Sequence, residues 1–239
     1  MKSHPLSLAQ KILRGKNNGE DDRRALIFYE QFKALRAKLE YQVDMKKYKV
    51  IAVTSTIAEE GKTFACSNLA ANLASVGRKK VLLIDADLRK SDLARYLDIS
   101  PKPGLTEFLS GSIPLEKIFY RPLEGLYFIP GGGRTSKASD LLAGDKFRSF
   151  LNNIRDQFDI VILDTPPILP VADTMSLKDQ IDGFVLMFRM RFTPHVMLRQ
   201  VVEELEKEKI IGVVLNYVEP QKQKYYDRYY GKYYQKISK

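Results

Sequence analysis

The sequence predicts an α/β domain with a doubly wound, mostly parallel sheet and helices on both faces, and three observations carry that expectation. Short β-branched runs alternate with helical stretches from residue 49 onward. The runs are apolar throughout rather than alternating, the mark of strands covered on both faces. The intervals between them are long enough for right-handed crossovers.

Taken in order, the first element is a helix in an N-terminal arm, residues 1–49. Asp21 or Asp22 is placed to cap it, and Ala25, Phe28, Tyr29, Phe32, Leu35 and Leu39 follow at steps of three and four, laying one apolar stripe along it. Such a stripe packs on the chain's own core or makes a subunit contact. The strand runs are then KVIAVT (49–54), VLLID (81–85), LYFIP (126–130), DIVILD (159–164), FVLMF (184–188) and IIGVVLN (210–216). Helices are expected over Thr63–Val76, Ser139–Asp156, Ala172–Gln180 and Thr193–Lys207. The central domain is therefore set at residues 50–220. Residues 221–239 differ in kind. They carry Tyr225, Tyr226, Tyr229, Tyr230, Tyr233 and Tyr234, six of the 13 tyrosines, among Lys, Arg and Gln. With almost no aliphatic residue, this tail is expected to be mobile.

The chain of 239 residues has a net charge of +10, and 44% of its residues are hydrophobic, enough for a sizeable core. The excess positive charge lies at the two ends, while the middle is nearly neutral, which argues against a nucleic-acid partner. No apolar stretch approaches the roughly 18 residues of a membrane span. The N-terminus lacks the apolar core of a signal peptide, so an intracellular protein is expected. A single cysteine, Cys66, rules out an internal disulfide and a Cys-based zinc site, and it reads as a buried, inert thiol. His4 and His195 have no catalytic context.

The strongest chemistry follows the first strand, in TSTIAEEGKTFACSNLAANLA. Gly61-Lys62-Thr63 stands between a strand and a helix, the setting of a phosphate-binding loop. Gly61 lets the backbone approach a phosphate, and the helix start supplies N–H groups and a favourable dipole. Lys62 is placed to reach the β- and γ-phosphates, and Thr63 to ligate Mg²⁺. Asp85 and Asp87 close the second strand and Asp164 another, where ligands bind in such folds. Thr56 stands where the loop motif has its first glycine, and Phe64 follows the magnesium ligand.

These segments, EEGKT, LLIDADLR, GLTEFLSG (104–111), FDIVILDTPPILPVAD (158–173) and IIGVVLN, together resemble the bacterial tyrosine kinases of capsule and exopolysaccharide systems. They share a broad P-loop branch with the Min and Par ATPases. The likeness implies a protein-tyrosine autokinase using ATP and Mg²⁺ and modifying its own tail tyrosines, so as to regulate capsular or exopolysaccharide synthesis or export. It implies Walker A roles for Lys62 and Thr63, Walker A′ roles for Asp85 and Asp87, and a Walker B role for Asp164. Asp85 is expected to activate the tyrosine hydroxyl, and Thr63, Asp87 and Asp164 to organise Mg²⁺. Glu59, Glu60, Gly61, Lys62, Thr63, Phe64 and Asn216 are the expected nucleotide contacts, Asn216 at the base. Where the family has Pro-Gly before Glu60, this chain has Ala58-Glu59.

The likeness further implies a homo-oligomer, of ring form, built through an E-x-x-R-x-x-R helix motif. Here that motif reads Glu30, Lys33, Arg36. A separate transmembrane polysaccharide co-polymerase as activator, a cognate tyrosine phosphatase, and a cytoplasmic position at the inner face of the plasma membrane are also implied. Two alternatives remain open. One is a Min/Par-like ATPase switch, which normally carries a signature lysine where this chain has Ile57. The other is a nucleotide-binding adaptor with weak or no kinase activity.

Overall fold

A computed structural model describes residues 20–76 and 79–218. Its centre is a seven-stranded sheet in the order β3-β4-β2-β5-β1-β6-β7. The strands are β1 Val50–Ser55, β2 Val81–Asp85, β3 Tyr120–Leu123, β4 Leu126–Ile129, β5 Ile160–Asp164, β6 Gly183–Arg189 and β7 Ile210–Asn216. All neighbouring pairs are parallel except β3 with β4. The helices are α1 Glu20–Lys46, α2 Lys62–Ser75, α3 Leu93–Tyr96, α4 Leu105–Leu109, α5 Ala138–Ala143, α6 Asp145–Ile154, α7 Asp173–Ser176 and α8 His195–Leu205.

Alternate residues of each central strand feed two cores. Val50 and Ala52 of β1, Leu82 and Ile84 of β2, and Val161 and Leu163 of β5 face one layer with α4, α5, α6 and α8. Ile51, Val53, Val81, Leu83, Ile160 and Ile162 face the other, with α1, α2 and α3. Burying each such aliphatic side chain is worth about 1.5–3 kcal/mol, so the central strands are the most firmly held part of the fold.

The N-terminal helix packs on this second core. Leu39 and Val43 are buried in it, and Phe32 and Leu35 lean against it. Its span takes in Asp21 and Asp22, so neither stands ahead of the helix as its cap. The helix expected over Ser139–Asp156 is two helices. Gly144 adopts extended geometry (φ −69°, ψ 155°) and separates α5 from α6. The stretches expected over Ala172–Gln180 and Thr193–Lys207 each end in a short 3-10 turn. β7 departs from full burial. As an edge strand with only β6 beside it, it leaves Val213 and Leu215 exposed. Among the described residues, no helix is long and apolar enough to cross a membrane. The tail with its six tyrosines lies outside the described residues.

The order β2-β5-β1-β6 sets the site. The chain passes from β1 to β2 on one side, and the β5–β6 connection crosses β1 to the other, so the strand order reverses at β1 and a crevice opens at the carboxyl ends of these strands.

Candidate active site

β1 ends at Ser55, and residues 56–61 turn the chain into α2. A side chain braces that turn. The fully buried Glu60 carboxylate accepts the N–H groups of Thr56 (2.6 Å) and Ile57 (3.0 Å) through Oε2. Through Oε1 it accepts the Arg189 N–H (3.1 Å) and the Thr193 hydroxyl, which ties the turn to the end of β6. Gly61 takes φ +86°, and a Cβ there would lie 2.2 Å from Asn216 Nδ2. Glu59 occupies the same left-handed region at φ +66°, where the resembling loops carry glycine. α2 then begins at Lys62 with no side-chain cap and no acidic residue in its first turn. Its leading N–H groups have no helical carbonyl within reach, which leaves them as donors at the end of the turn.

Opposite stand the carboxylates. Asp85 ends β2 and Asp164 ends β5, and the two are register partners on adjacent strands. Lys62 Nζ lies 2.7 Å from Asp164 Oδ1 and 3.7 Å from Asp87 Oδ2. The Thr63 hydroxyl stands beside them, 3.5 Å from Lys62 Nζ. Burial pulls the Lys62 ammonium down, but Asp164 and Asp87 together outweigh it and hold it above its usual range. Burial likewise raises Asp164, and Lys62 and Thr63 offset only part of that.

Asp85 is more deeply set. It has no exposed surface, and its Oδ2 accepts the Ser91 hydroxyl (2.7 Å) and the Leu93 N–H (3.3 Å). Its Oδ1 accepts the Asp87 N–H (3.2 Å). Burial first, then the Asp164 carboxylate, push the Asp85 carboxyl up to about 8. Half-buried Ser91 covers it, and Gly131 lies so close that a Cβ there would meet Ser91 Oγ at 2.6 Å.

The structure thus brings Lys62, Thr63, Asp85, Asp87 and Asp164 together, with Glu60 and Gly61 shaping the turn. Asn216 sits against the turn and donates to the Glu60 carbonyl (2.9 Å). Phe64 turns elsewhere. Its ring packs with Phe28, Phe32 and Tyr96, joining α2 to α1 and α3 rather than to the sheet. Cys66 is buried, and burial drives its thiol well above the ordinary range, which leaves it inert. His195 is exposed at the start of α8, stacked on Phe188. Glu30 pairs with Lys33 (2.8 Å) and Arg36 with Glu40 (2.5 Å), both within α1.

Sequence reasoning missed the contact of Glu60 with Arg189 and one further pair. Arg89 grips the buried Asp173 with both Nε (2.7 Å) and a terminal nitrogen (3.0 Å), and the Ser139 hydroxyl donates to the same carboxylate. Burial alone would raise Asp173, yet Arg89 and Ser139 hold it below its usual range. This clamp fixes the segment after Asp87 against the start of α7. A carboxylate closing ILPVAD was its only trace in the sequence.

The donors suit Mg²⁺ with a nucleotide. One hydroxyl and two carboxylates are hard oxygen ligands, and a lysine and helix N–H groups face them to receive phosphate oxygens. The buried Thr56 hydroxyl, at the root of the turn, has no hydrogen-bond partner among the described residues.

Comparison with known proteins gives the same picture. Residues 48–187 match the family of the AAA domain. EpsB of Ralstonia solanacearum is 34% identical over 199 residues, which cover 82% of this chain and 26% of that protein. The tyrosine-protein kinase CpsD of Streptococcus agalactiae is 33% identical over 193 residues, 79% of this chain and 83% of CpsD. Among solved structures, the kinase domain of the Escherichia coli tyrosine kinase ETK superposes with a TM-score of 0.74 at 31% identity, covering 79% of this chain and 74% of that domain. The chain spans about a quarter of the length of the curated relatives it matches first.

Proposed function

The chain belongs to the bacterial tyrosine-protein kinase family, and we propose that it transfers the γ-phosphoryl group of ATP to protein tyrosines, those of its own tail among them. One observation carries this reading: Lys62, at the head of α2, lies 2.7 Å from Asp164, the last residue of β5, and 3.7 Å from Asp87, two residues past the end of neighbouring β2. Phosphoryl transfer asks a protein for positioning and for fixed charge around the migrating group. Lys62 supplies the cation, and the turn and the α2 N–H groups supply the cradle. Thr63, Asp87 and Asp164 would hold Mg²⁺, which when bound neutralises the phosphate oxygens.

A tyrosine hydroxyl needs a base at neutral pH. We assign that role to Asp85, whose carboxyl at about 8 sits near the working range. It lies behind the Ser91 hydroxyl, which has to turn aside for the acceptor. Regulation of capsular or exopolysaccharide synthesis or export follows from the family resemblance. So do a cytoplasmic site at the membrane's inner face, a transmembrane co-polymerase as activator, a homo-oligomer of ring form and a cognate phosphatase.

The test is to incubate the chain with Mg·ATP, with and without a candidate co-polymerase segment, and to map phosphate by mass spectrometry. Phosphotyrosine in Tyr225–Tyr234 supports the reading. ATP hydrolysis with no phosphotyrosine in either sample sinks it and favours an ATPase switch.

A further inference from the structure

The Arg89–Asp173 pair stands outside the phosphate turn, yet it joins three of the loops that leave the sheet beside it. Arg89 is on the segment after β2. Ser139, in α5, follows the loop after β4, and Asp173 opens α7 at the end of the loop after β5. Asp173 Oδ2 accepts Arg89 Nε (2.7 Å), and its Oδ1 accepts a second guanidinium nitrogen (3.0 Å) and the Ser139 hydroxyl. The Asp173 side chain is fully buried, whereas that of Arg89 is 38% exposed. A two-pronged contact between a planar guanidinium and a carboxylate fixes direction as well as distance.

Each end of the pair continues into a carboxylate of the site. Next to Arg89, the Lys90 N–H donates to Asp87 Oδ1 (3.0 Å) and lies 3.1 Å from the Asp87 carbonyl oxygen. Next to Asp173, the Thr174 hydroxyl donates to the carbonyl of Pro166 (2.7 Å), which follows Asp164 and Thr165 in the chain. The Thr54 hydroxyl of β1 donates to that same carbonyl (2.9 Å). One ion pair therefore closes a circuit of contacts that runs from Asp87 to Asp164. Strand register sets Asp85 against Asp164. Asp87 lies past the end of β2, so its place depends on this turn. Mg²⁺ takes its oxygen ligands at short distances in near-ideal octahedral geometry, and two carboxylates that share it tolerate little drift in their spacing.

We propose that Arg89 and Asp173 are positioning residues for the metal, which fix the spacing of Asp87 and Asp164 and thereby set the affinity for Mg²⁺. This rests on the reading of Thr63, Asp87 and Asp164 as metal ligands given above. A pair that only supports the fold would, when broken, weaken nucleotide binding equally with and without metal. A pair that spaces the ligands affects only the part of the affinity that Mg²⁺ supplies.

Calorimetric titration of the full chain with ADP, in Mg²⁺ and in EDTA, separates these cases. The parent is expected to bind ADP at least about tenfold more tightly with Mg²⁺, which joins phosphate and protein oxygens. Asp173→Asn keeps the size of the side chain without its charge, and Arg89→Gln removes the fork. In both, the gain from Mg²⁺ should shrink by about fivefold or more, as expected of groups that orient a metal ligand. Affinity for metal-free ADP should stay within about twofold of the parent's. Arg89→Lys, which keeps the charge but not the fork, should fall between Arg89→Gln and the parent. The proposal is overturned if both variants keep the parent's gain to within about fivefold, or if they lose metal-free ADP to the same degree as Mg·ADP. A parent that gains less than about fivefold from Mg²⁺ overturns the metal-ligand reading itself, so the two failures are distinct.

Discussion

Lys62 Nζ and Asp164 Oδ1 stand 2.7 Å apart although 102 residues separate them in the chain. The sheet order explains the meeting. β1 and β5 are direct neighbours, so the helix that leaves β1 begins beside the last residue of β5. Both groups are nearly buried, and neither tolerates the loss of the other's charge well.

Lys62→Met is therefore expected to lower tyrosine phosphorylation by at least about a hundredfold, because the migrating phosphoryl loses its fixed cation. Asp164→Asn should do the same through the loss of a Mg²⁺ ligand. Phosphotyrosine formed at the parental rate by either variant would show that the site lies elsewhere.

Asp85 gives a pH prediction. Its carboxyl titrates at about 8 in the folded chain, against about 4 when unfolded. A raised value means that its contribution to stability is fully present below the unfolded value. That contribution is lost as pH rises toward the folded one. Asn cannot ionise. The melting temperature of Asp85→Asn, relative to the parent, should thus climb between about pH 5 and 8 and level off above, while phosphorylation is lost. A constant difference across that window would refute the raised Asp85 carboxyl.

Glu60 is the brace of the turn, and Glu60→Ala strands the N–H groups of Thr56, Ile57 and Arg189. Hydrogen bonds to a charged partner are worth about 1.5–3 kcal/mol each. Denaturant unfolding should show a loss of at least that size, and Mg·ADP binding should fall with it. Glu60→Gln, which keeps one acceptor oxygen, should recover part of both. Unchanged stability in Glu60→Ala would remove the brace from the account.

Much of this was legible in the sequence because burial writes itself as composition. The central strands run apolar without alternation, and all were found. β3 was not, because Tyr120–Leu123 is a short antiparallel edge carrying Arg121 and Pro122, residues that an edge tolerates and a central strand does not. The helix over Ser139–Asp156 looked continuous because Gly144 is a single break in an apolar period. In the site, GKT and the strand-end aspartates announce themselves by position. The Glu60–Arg189 and Arg89–Asp173 contacts do not, since their partners lie 129 and 84 residues apart and only the folded sheet unites them.

Glu59 is strained where it stands. At φ +66° a side chain costs about 1–2 kcal/mol, whereas glycine there costs about 0.5–1 kcal/mol of added unfolded-state entropy. The first figure is the larger, so Glu59→Gly should stabilise the chain by roughly 0.5–1 kcal/mol. The Arg189 bond to its carbonyl uses only backbone and should survive. A destabilised Glu59→Gly in denaturant unfolding would mean that its side chain makes a favourable contact of its own.

The tail offers the last prediction, and charge decides its sign. Residues 221–239 hold six basic side chains and one acidic, a net charge of +5. Such a segment is drawn toward a site built from Asp85, Asp87 and Asp164, with the phosphates of ATP added. Each phosphotyrosine brings about −1.5 to −2 at pH 7. Three modified tyrosines would cancel the tail's charge, and all six would carry it to roughly −4 to −7. A tail of that sign is repelled by an acidic, nucleotide-loaded site on a neighbouring subunit of the proposed oligomer, where the unmodified tail would be attracted. Full phosphorylation is therefore expected to dissociate the proposed oligomer, and replacing all six tail tyrosines with Phe should leave it associated in the presence of Mg·ATP. Light scattering at physiological salt, before and after ATP treatment, reads the outcome directly. An assembly that keeps its mass after complete tail phosphorylation would reject the charge switch, because nothing else in the tail changes sign.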